Sequence, residues 1–140
     1  NLFELDALTG ITCATLVEIK RALQKLHDKG PRVIVLTSAV IDETPAHAID
    51  MLVSDGHSLA RVRTPRLGFS PNGAGDLTAS LFLAHYLKTR SAAQSLAFAA
   101  SSVHAILDET LKAGGGELRL IAAQDAIRLP PHLFTPEIVS

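Results

Sequence analysis

Apolar residues recur three and four positions apart near the beginning of the chain, in segment 12–31. They are Leu16, Ile19, Leu23 and Leu26. This spacing predicts an amphipathic helix that is capped by Thr12 or Thr15 and ends at Gly30–Pro31.

A short apolar run follows, "RVIVLTS" at residues 32–38, ending in Thr37 and Ser38. Its β-branched residues predict a strand buried on both faces, as in parallel sheets, and a helix before such a strand favours βαβ winding. Segment 49–64 predicts two antiparallel strands, because Asp55–Gly56 tolerates the positive φ of a tight hairpin turn.

Two longer helices are predicted in the second half. The helix at 77–90 begins near Asp76, and its nearly continuous apolar character predicts burial on most sides. The helix at 91–114 has Ser91 as its cap and ends at the glycines 114–116.

A last strand is predicted at 117–123, and a short helical turn at 124–134 that is closed by Pro130–Pro131. The 140 residues are 47% hydrophobic but only 4% aromatic. A core of Leu, Ile, Val and Ala is typical of helices packed on a sheet, so the fold class is α/β.

Charge and cysteine content exclude several classes of protein. Thirteen Lys and Arg against fourteen Asp and Glu give a net charge of −1 without a basic stripe, so nucleic acid is not an expected partner. No apolar run approaches the roughly 18 residues of a membrane helix, so no membrane partner is expected. Cys13 is the only cysteine, which suits a reducing cytosol and a cytoplasmic location.

The turn before the helix at 77–90 is the strongest candidate for chemistry. Its residues are Gly73, Ala74, Gly75 and Asp76. Glycines let backbone N–H groups converge, and a helix start adds further free donors, so the turn can bind a phosphate. Asp76 would then be a general base, although an aspartate at a helix start is also an ordinary capping choice.

A second candidate lies at the first residues. Asn1 and Glu4 are three apart, so they share a face of a helical turn. Their amide and carboxylate oxygens can hold a hydrated Mg²⁺, but the same pair is also a helix-capping pattern. The sequence alone is compatible with both a magnesium site and a helix cap.

Together these segments resemble a known family. "NLFELDALTG", the strand ending "LTS", "GAGDLTASLFLAH" and "LIAAQDAIRLPPHLF" are similar to the C-terminal half of pyridoxal kinases in the ribokinase-like superfamily, over essentially all 140 residues. The resemblance implies a three-layer α/β/α sandwich, of which residues 1–140 are the C-terminal portion. The N-terminal substrate half is then absent, and the chain alone is expected to be inactive.

The activity implied by the resemblance is transfer of the γ-phosphoryl group of ATP to the 5′-hydroxymethyl group of pyridoxal, pyridoxine or pyridoxamine. Mg²⁺ is the implied metal, a monovalent cation is left open, and the full-length protein is expected to be a homodimer. Two alternatives remain: a ribokinase-like kinase for hydroxymethylpyrimidine or a sugar, and a non-catalytic nucleotide-binding domain.

The resemblance also implies residue roles. Asp76 matches the catalytic base, and the backbone of Gly73, Ala74 and Gly75 matches the anion hole. Thr37 and Ser38 match hydroxyls that contact ATP phosphates, whereas Asn1 and Glu4 match positions that organise Mg²⁺ and phosphate through water. The six histidines receive no role, because their spacing does not suit a metal.

Overall fold

Five helices and four strands form within residues 1–69 and 71–139, the part of the chain that this computed structural model describes. In chain order they are α1 (Leu2–Thr9), α2 (Leu16–His27), β1 (Ile34–Ala39), β2 (Ala48–Ser54), β3 (Leu59–Pro65), α3 (Ala74–Thr89), α4 (Ala92–Lys112), α5 (Gln124–Arg128) and β4 (Glu137–Ile138).

The four strands form one sheet in the order β1-β2-β3-β4, and every pair in it is antiparallel. The prediction that β1 belongs to a parallel arrangement is therefore wrong for this sheet. Residues 40–47 connect β1 to β2 and are too few for a parallel crossover, which needs a dozen or more. The predicted hairpin between β2 and β3 is confirmed, with Asp55–Gly56 in its turn.

Helices cover both faces of the sheet, so the three-layer arrangement is confirmed. Leu52 belongs to a buried cluster with Ile19 and Leu23 of α2, whereas the next residue, Val53, belongs to a cluster with Leu96 of α4. Successive residues of a strand point to opposite faces, so β2 lies between the two clusters.

Side-chain caps fix where three of the helices begin. Asn1 and Thr15 each form a reciprocal capping box with the glutamate three residues later, and Ser91 accepts a hydrogen bond from the Gln94 N–H. The predicted caps of α2 and α4 are thus confirmed. Each such cap satisfies one of the N–H groups that a helix start leaves without a partner.

Segment 117–123 is not a strand, contrary to the sequence prediction. Local turns satisfy its backbone instead: the Arg119 N–H donates to the Thr110 hydroxyl at 3.1 Å, and the Ala123 N–H donates to the Arg119 carbonyl at 3.0 Å. The free edge of β3 is taken by β4, where Ala60 faces Ile138. The backbone of 117–123 is thus bonded within turns and to Thr110, and the strand that pairs with β3 is β4.

The apolar helix α3 is also less buried than its sequence predicts. Leu81 and Phe82 are buried, but Leu83 and Leu87 are 55% and 56% exposed. The helix packs chiefly along α4, which itself lies on β2 and β3, so only one of its faces is covered. None of the helices described here is both long enough and apolar enough to cross a membrane.

The core position of Leu96 gives a stability prediction for the full-length protein. This side chain is fully buried in α4, so Leu96→Ala should lower the free energy of unfolding by about 2–5 kcal/mol through lost contacts and a cavity. Leu111→Ala on the same helix, where the side chain is 40% exposed, should cost clearly less. Urea denaturation of both variants checks this, and equal losses would contradict the described packing of α4.

Candidate functional site

A β-bulge interrupts the pairing of β1 with β2 at the end of β1. Leu36 faces Leu52 and Ala39 faces Asp50, so two residues of β1, Thr37 and Ser38, oppose a single residue of β2. Ser38 has φ +54°, a left-handed conformation that few residues other than glycine adopt. Bulges of this kind redirect side chains and are frequent next to active sites.

The start of α3 differs from the capped helices described above. Gly73 at its N-cap has φ +87°, and none of the described side chains caps this helix. The Leu77 N–H donates to the Gly73 carbonyl at 2.9 Å, which begins the helical ladder. Among the described residues, the N–H groups of Ala74, Gly75 and Asp76 therefore have no partner, and they form the positive end of the helix dipole.

A cavity of about 550 Å³ joins these two features. Its walls come from the bulge of β1, the end of β3 with the loop after it, the first turn of α3 and one face of α4. Thr37, Ser38, Ala74 and Gly75 all line it, so four of the eight residues singled out from the sequence meet here.

The remaining residues of the glycine turn lie beside this cavity. Gly73 lines a neighbouring opening together with Asn72 and Leu118. Asp76 occupies the third position of α3 and is exposed, and it is not among the residues that line the cavity. Its predicted role as a base stays a prediction.

Asn1 and Glu4 form the cap of α1 and do not line either opening. The Asn1 side-chain oxygen accepts a hydrogen bond from the Glu4 N–H at 3.0 Å, and the Asn1 backbone nitrogen donates to the Glu4 carboxylate at 2.6 Å. The capping interpretation of this pair is therefore realised. Amide and carboxylate oxygens are also suitable ligands for Mg²⁺, and both side chains are accessible. The pair therefore stays a candidate for binding Mg²⁺ through water.

The sequence analysis did not single out Arg66, which carries the one permanently charged side chain among the described residues that line the cavity. Within the described part of the chain, its guanidinium makes no hydrogen bond or ion pair, whereas Arg61 and Arg63 are paired with carboxylates. Among the residues that the structure describes, no carboxylate lines the cavity. With the start of α3, Arg66 gives this space a positive character that suits an anion.

His104 is a second residue whose position the sequence did not indicate. It lines the cavity from α4, and its ring packs edge-on against Phe134 at 5.2 Å between ring centres. Burial lowers the pKa of His104, the Asp108 carboxylate raises it, and the charge of His132 lowers it. The net shift is downward, so the imidazole is neutral at pH 7 and adds no charge to the cavity.

The glycine run after α4 supports the wall of the cavity. Gly114, Gly115 and Gly116 all have positive φ, and a Cβ atom on Gly115 would lie 3.3 Å from the Phe69 ring. Phe69 lines both the cavity and the neighbouring opening. Gly115 thus lets this ring lie against the backbone.

Taken together, this arrangement can bind a phosphate-bearing ligand through hydroxyls, free backbone donors and one guanidinium. Within residues 1–69 and 71–139, no group of three or more His, Cys, Asp and Glu side chains could hold a metal ion. A metal at this site would therefore need oxygen atoms from water or from the ligand itself.

Comparison with known proteins gives a family match. Residues 1–120 match the family model described as phosphomethylpyrimidine kinase. Pyridoxal kinase PdxY of Granulibacter bethesdensis is 42% identical over 142 residues, covering 99% of this chain and 50% of the relative.

Solved structures give the same result for the fold. Pyridoxal kinase from Entamoeba histolytica superposes with a TM-score of 0.84 at 26% identity, covering 99% of this chain and 49% of that chain. Pyridoxal kinase from Leishmania donovani, in complex with ADP and pyridoxine, superposes with a TM-score of 0.87 at 18% identity, covering 100% of this chain and 50% of that one.

The chain spans about half the length of these relatives. Its likeness to pyridoxal kinases confirms the resemblance drawn from its motifs, including the ribokinase-like fold. The match over residues 1–120 shows that the chain belongs to the phosphomethylpyrimidine kinase family.

Proposed function

We propose that this chain forms the nucleotide and phosphoryl-transfer side of a kinase that phosphorylates the 5′-hydroxymethyl group of pyridoxal or a related vitamer with ATP. The observation that carries this proposal is the single cavity that joins the hydroxyls of the β1 bulge to the uncapped start of α3. The relatives that are pyridoxal kinases support the choice of substrate.

The protein's part in this reaction is positioning and charge stabilisation, because phosphoryl transfer needs little covalent chemistry from the enzyme. The Thr37 and Ser38 hydroxyls would bind phosphates of ATP. The backbone N–H groups of the turn at 73–75 would stabilise the transferring group, and Arg66 would neutralise charge. Asp76, one residue further along α3, would accept the proton of the attacking hydroxyl.

Mg²⁺ neutralises phosphate charge when it is bound, and we assign Asn1 and Glu4 to hold it through water. The expectation that residues 1–140 are the C-terminal portion of the enzyme belongs to the same proposal, as do the homodimer and the cytoplasmic location. The buried, unpaired thiol of Cys13 supports a reducing compartment.

A second candidate is a kinase for hydroxymethylpyrimidine or its phosphate, which the description of the matching family favours. ADP production by the full-length protein, measured with pyridoxal, pyridoxine, pyridoxamine and hydroxymethylpyrimidine, separates the candidates. The main proposal requires the highest kcat/KM with a vitamer. Turnover with the pyrimidine alone would replace the substrate, and ATP binding without any turnover would favour a non-catalytic domain.

Asp76→Asn should lower kcat by roughly 10²–10⁴-fold while ATP binding changes little, because the variant removes only the proton acceptor. Steady-state kinetics and calorimetry of the full-length protein measure the two effects. Asp125→Asn, in the first turn of α5, is a control that removes an exposed helix-start carboxylate elsewhere. Near-normal turnover of the Asp76 variant would remove this residue from the mechanism.

Arg66→Ala should weaken the binding of ATP and ADP by about tenfold to a hundredfold, the usual worth of a charge-assisted hydrogen bond. Adenosine has no phosphate, so its affinity should stay the same. Calorimetry with the three ligands measures this, and Arg128→Ala in α5 serves as a control outside the cavity. An equal loss of adenosine binding would contradict a phosphate contact.

Gly115→Ala should weaken ATP binding, because its methyl group would displace the Phe69 ring from the cavity wall. Gly116→Ala is the matched control: its φ of +95° gives it a similar backbone cost of roughly 1–2 kcal/mol, but a Cβ there meets nothing within 4 Å. Melting temperatures and ATP affinities of both variants check this. Equal affinities would show that the position of Phe69 does not matter.

A further inference from the structure

One buried carboxylate of the sheet has no part in the proposed chemistry. Asp50 on β2 is fully buried and lies opposite Arg63 on β3 in the strand register. The Arg63 Nε and Nη2 atoms donate to its two oxygens at 2.7 and 2.8 Å. Hydrogen bonding to Asp50 raises the pKa of Arg63, so the guanidinium stays charged.

The same ion pair holds the loop that follows β1. The Thr44 hydroxyl donates to Asp50 Oδ2 at 2.8 Å and accepts a hydrogen bond from the Ile41 N–H at 3.1 Å. Arg63 Nη2 also donates to the Glu43 carbonyl at 3.2 Å. The loop at 41–44 is therefore tied to the pair at several points, and both Ile41 and Thr44 are buried.

This anchored loop begins next to the bulge that lines the cavity. Asp50 is the register partner of Ala39, which directly follows Ser38. A positive φ at a residue such as Ser38 persists only where the surroundings hold it. The anchors on both sides of Ala39, across the strand pair and along the loop, supply that constraint.

We propose that Asp50 and Arg63 are positioning residues whose ion pair, through Thr44, holds the Thr37–Ser38 bulge in the conformation that binds the nucleotide phosphates. This inference rests on the proposed function, because it assumes that the bulge contacts ATP. Neither Asp50 nor Arg63 lines the cavity, so their effect on the nucleotide is indirect.

Arg63→Gln in the full-length protein tests the proposal. Loss of the pair should raise the KM and Kd for ATP by about tenfold, because a group that orients a binding residue commonly contributes on this scale. The kcat should stay within about twofold of the parental value. Arg61→Gln is the matched control, because Arg61 lies two residues away on β3 and forms its ion pair with Glu137 instead. It should leave the KM for ATP unchanged.

A second variant separates positioning from loss of stability. Thr44→Val leaves the two Arg63–Asp50 hydrogen bonds intact but frees the Ile41 N–H, so it should raise the KM for ATP with a smaller fall in melting temperature. Hydrogen–deuterium exchange of residues 39–44 should become faster in both variants. Folded variants with parental KM and parental exchange would overturn the proposal, as would an Arg61→Gln variant that raises KM equally.

The proposed reaction can be disproved without disproving the role of Asp50 and Arg63. If the parent protein binds ATP but phosphorylates none of the tested substrates, the proposed reaction is wrong, and the ATP dissociation constants and exchange rates still decide the role of Asp50 and Arg63. A parent protein that binds no ATP overturns both.

Discussion

The short connection between β1 and β2 is the constraint on which the site depends. Residues 40–47 cannot carry a crossover helix, so β1 and β2 must run antiparallel, and the tight turn at 55–58 imposes the same on β3. As a result the end of β1, the start of β2 and the end of β3 lie side by side at the same end of the sheet. The first turn of α3 lines the cavity at this end, so elements that are distant in sequence form the walls of one cavity.

The positive character of the cavity comes from the start of α3 and from Arg66. Asn1, Thr15 and Ser91 cap their helices, whereas α3 begins at Gly73 and its first N–H groups have no partner among the described side chains. Arg66 adds a full positive charge, and no carboxylate within residues 1–69 and 71–139 lines the cavity to oppose it. Asp76 directly follows the cavity-lining Gly75 and is exposed, and its role as the base belongs to the proposal.

Local signals in the sequence were sufficient for the helix caps and the hairpin, because Thr15, Ser91 and Asp55–Gly56 act on neighbouring backbone. The direction of β1 was not predictable in the same way, since a doubly apolar strand fits either kind of sheet. Segment 117–123 is not a strand, because its N–H groups are bonded within turns and to the Thr110 hydroxyl, contacts that an alternating pattern does not report. The resemblance singled out Thr37 and Ser38, but the left-handed backbone of Ser38 lies in a bulge of the strand register, which no local pattern reports.

The measurement that tests the central claim most directly is a crystal structure of the full-length protein with Mg²⁺, a non-hydrolysable ATP analogue and pyridoxal. The account predicts the terminal phosphate at hydrogen-bond distance, about 3 Å, from the Ala74 and Gly75 N–H groups, and the pyridoxal hydroxyl within similar reach of Asp76. Phosphates bound away from the start of α3, or a pyridoxal hydroxyl remote from Asp76, would contradict it.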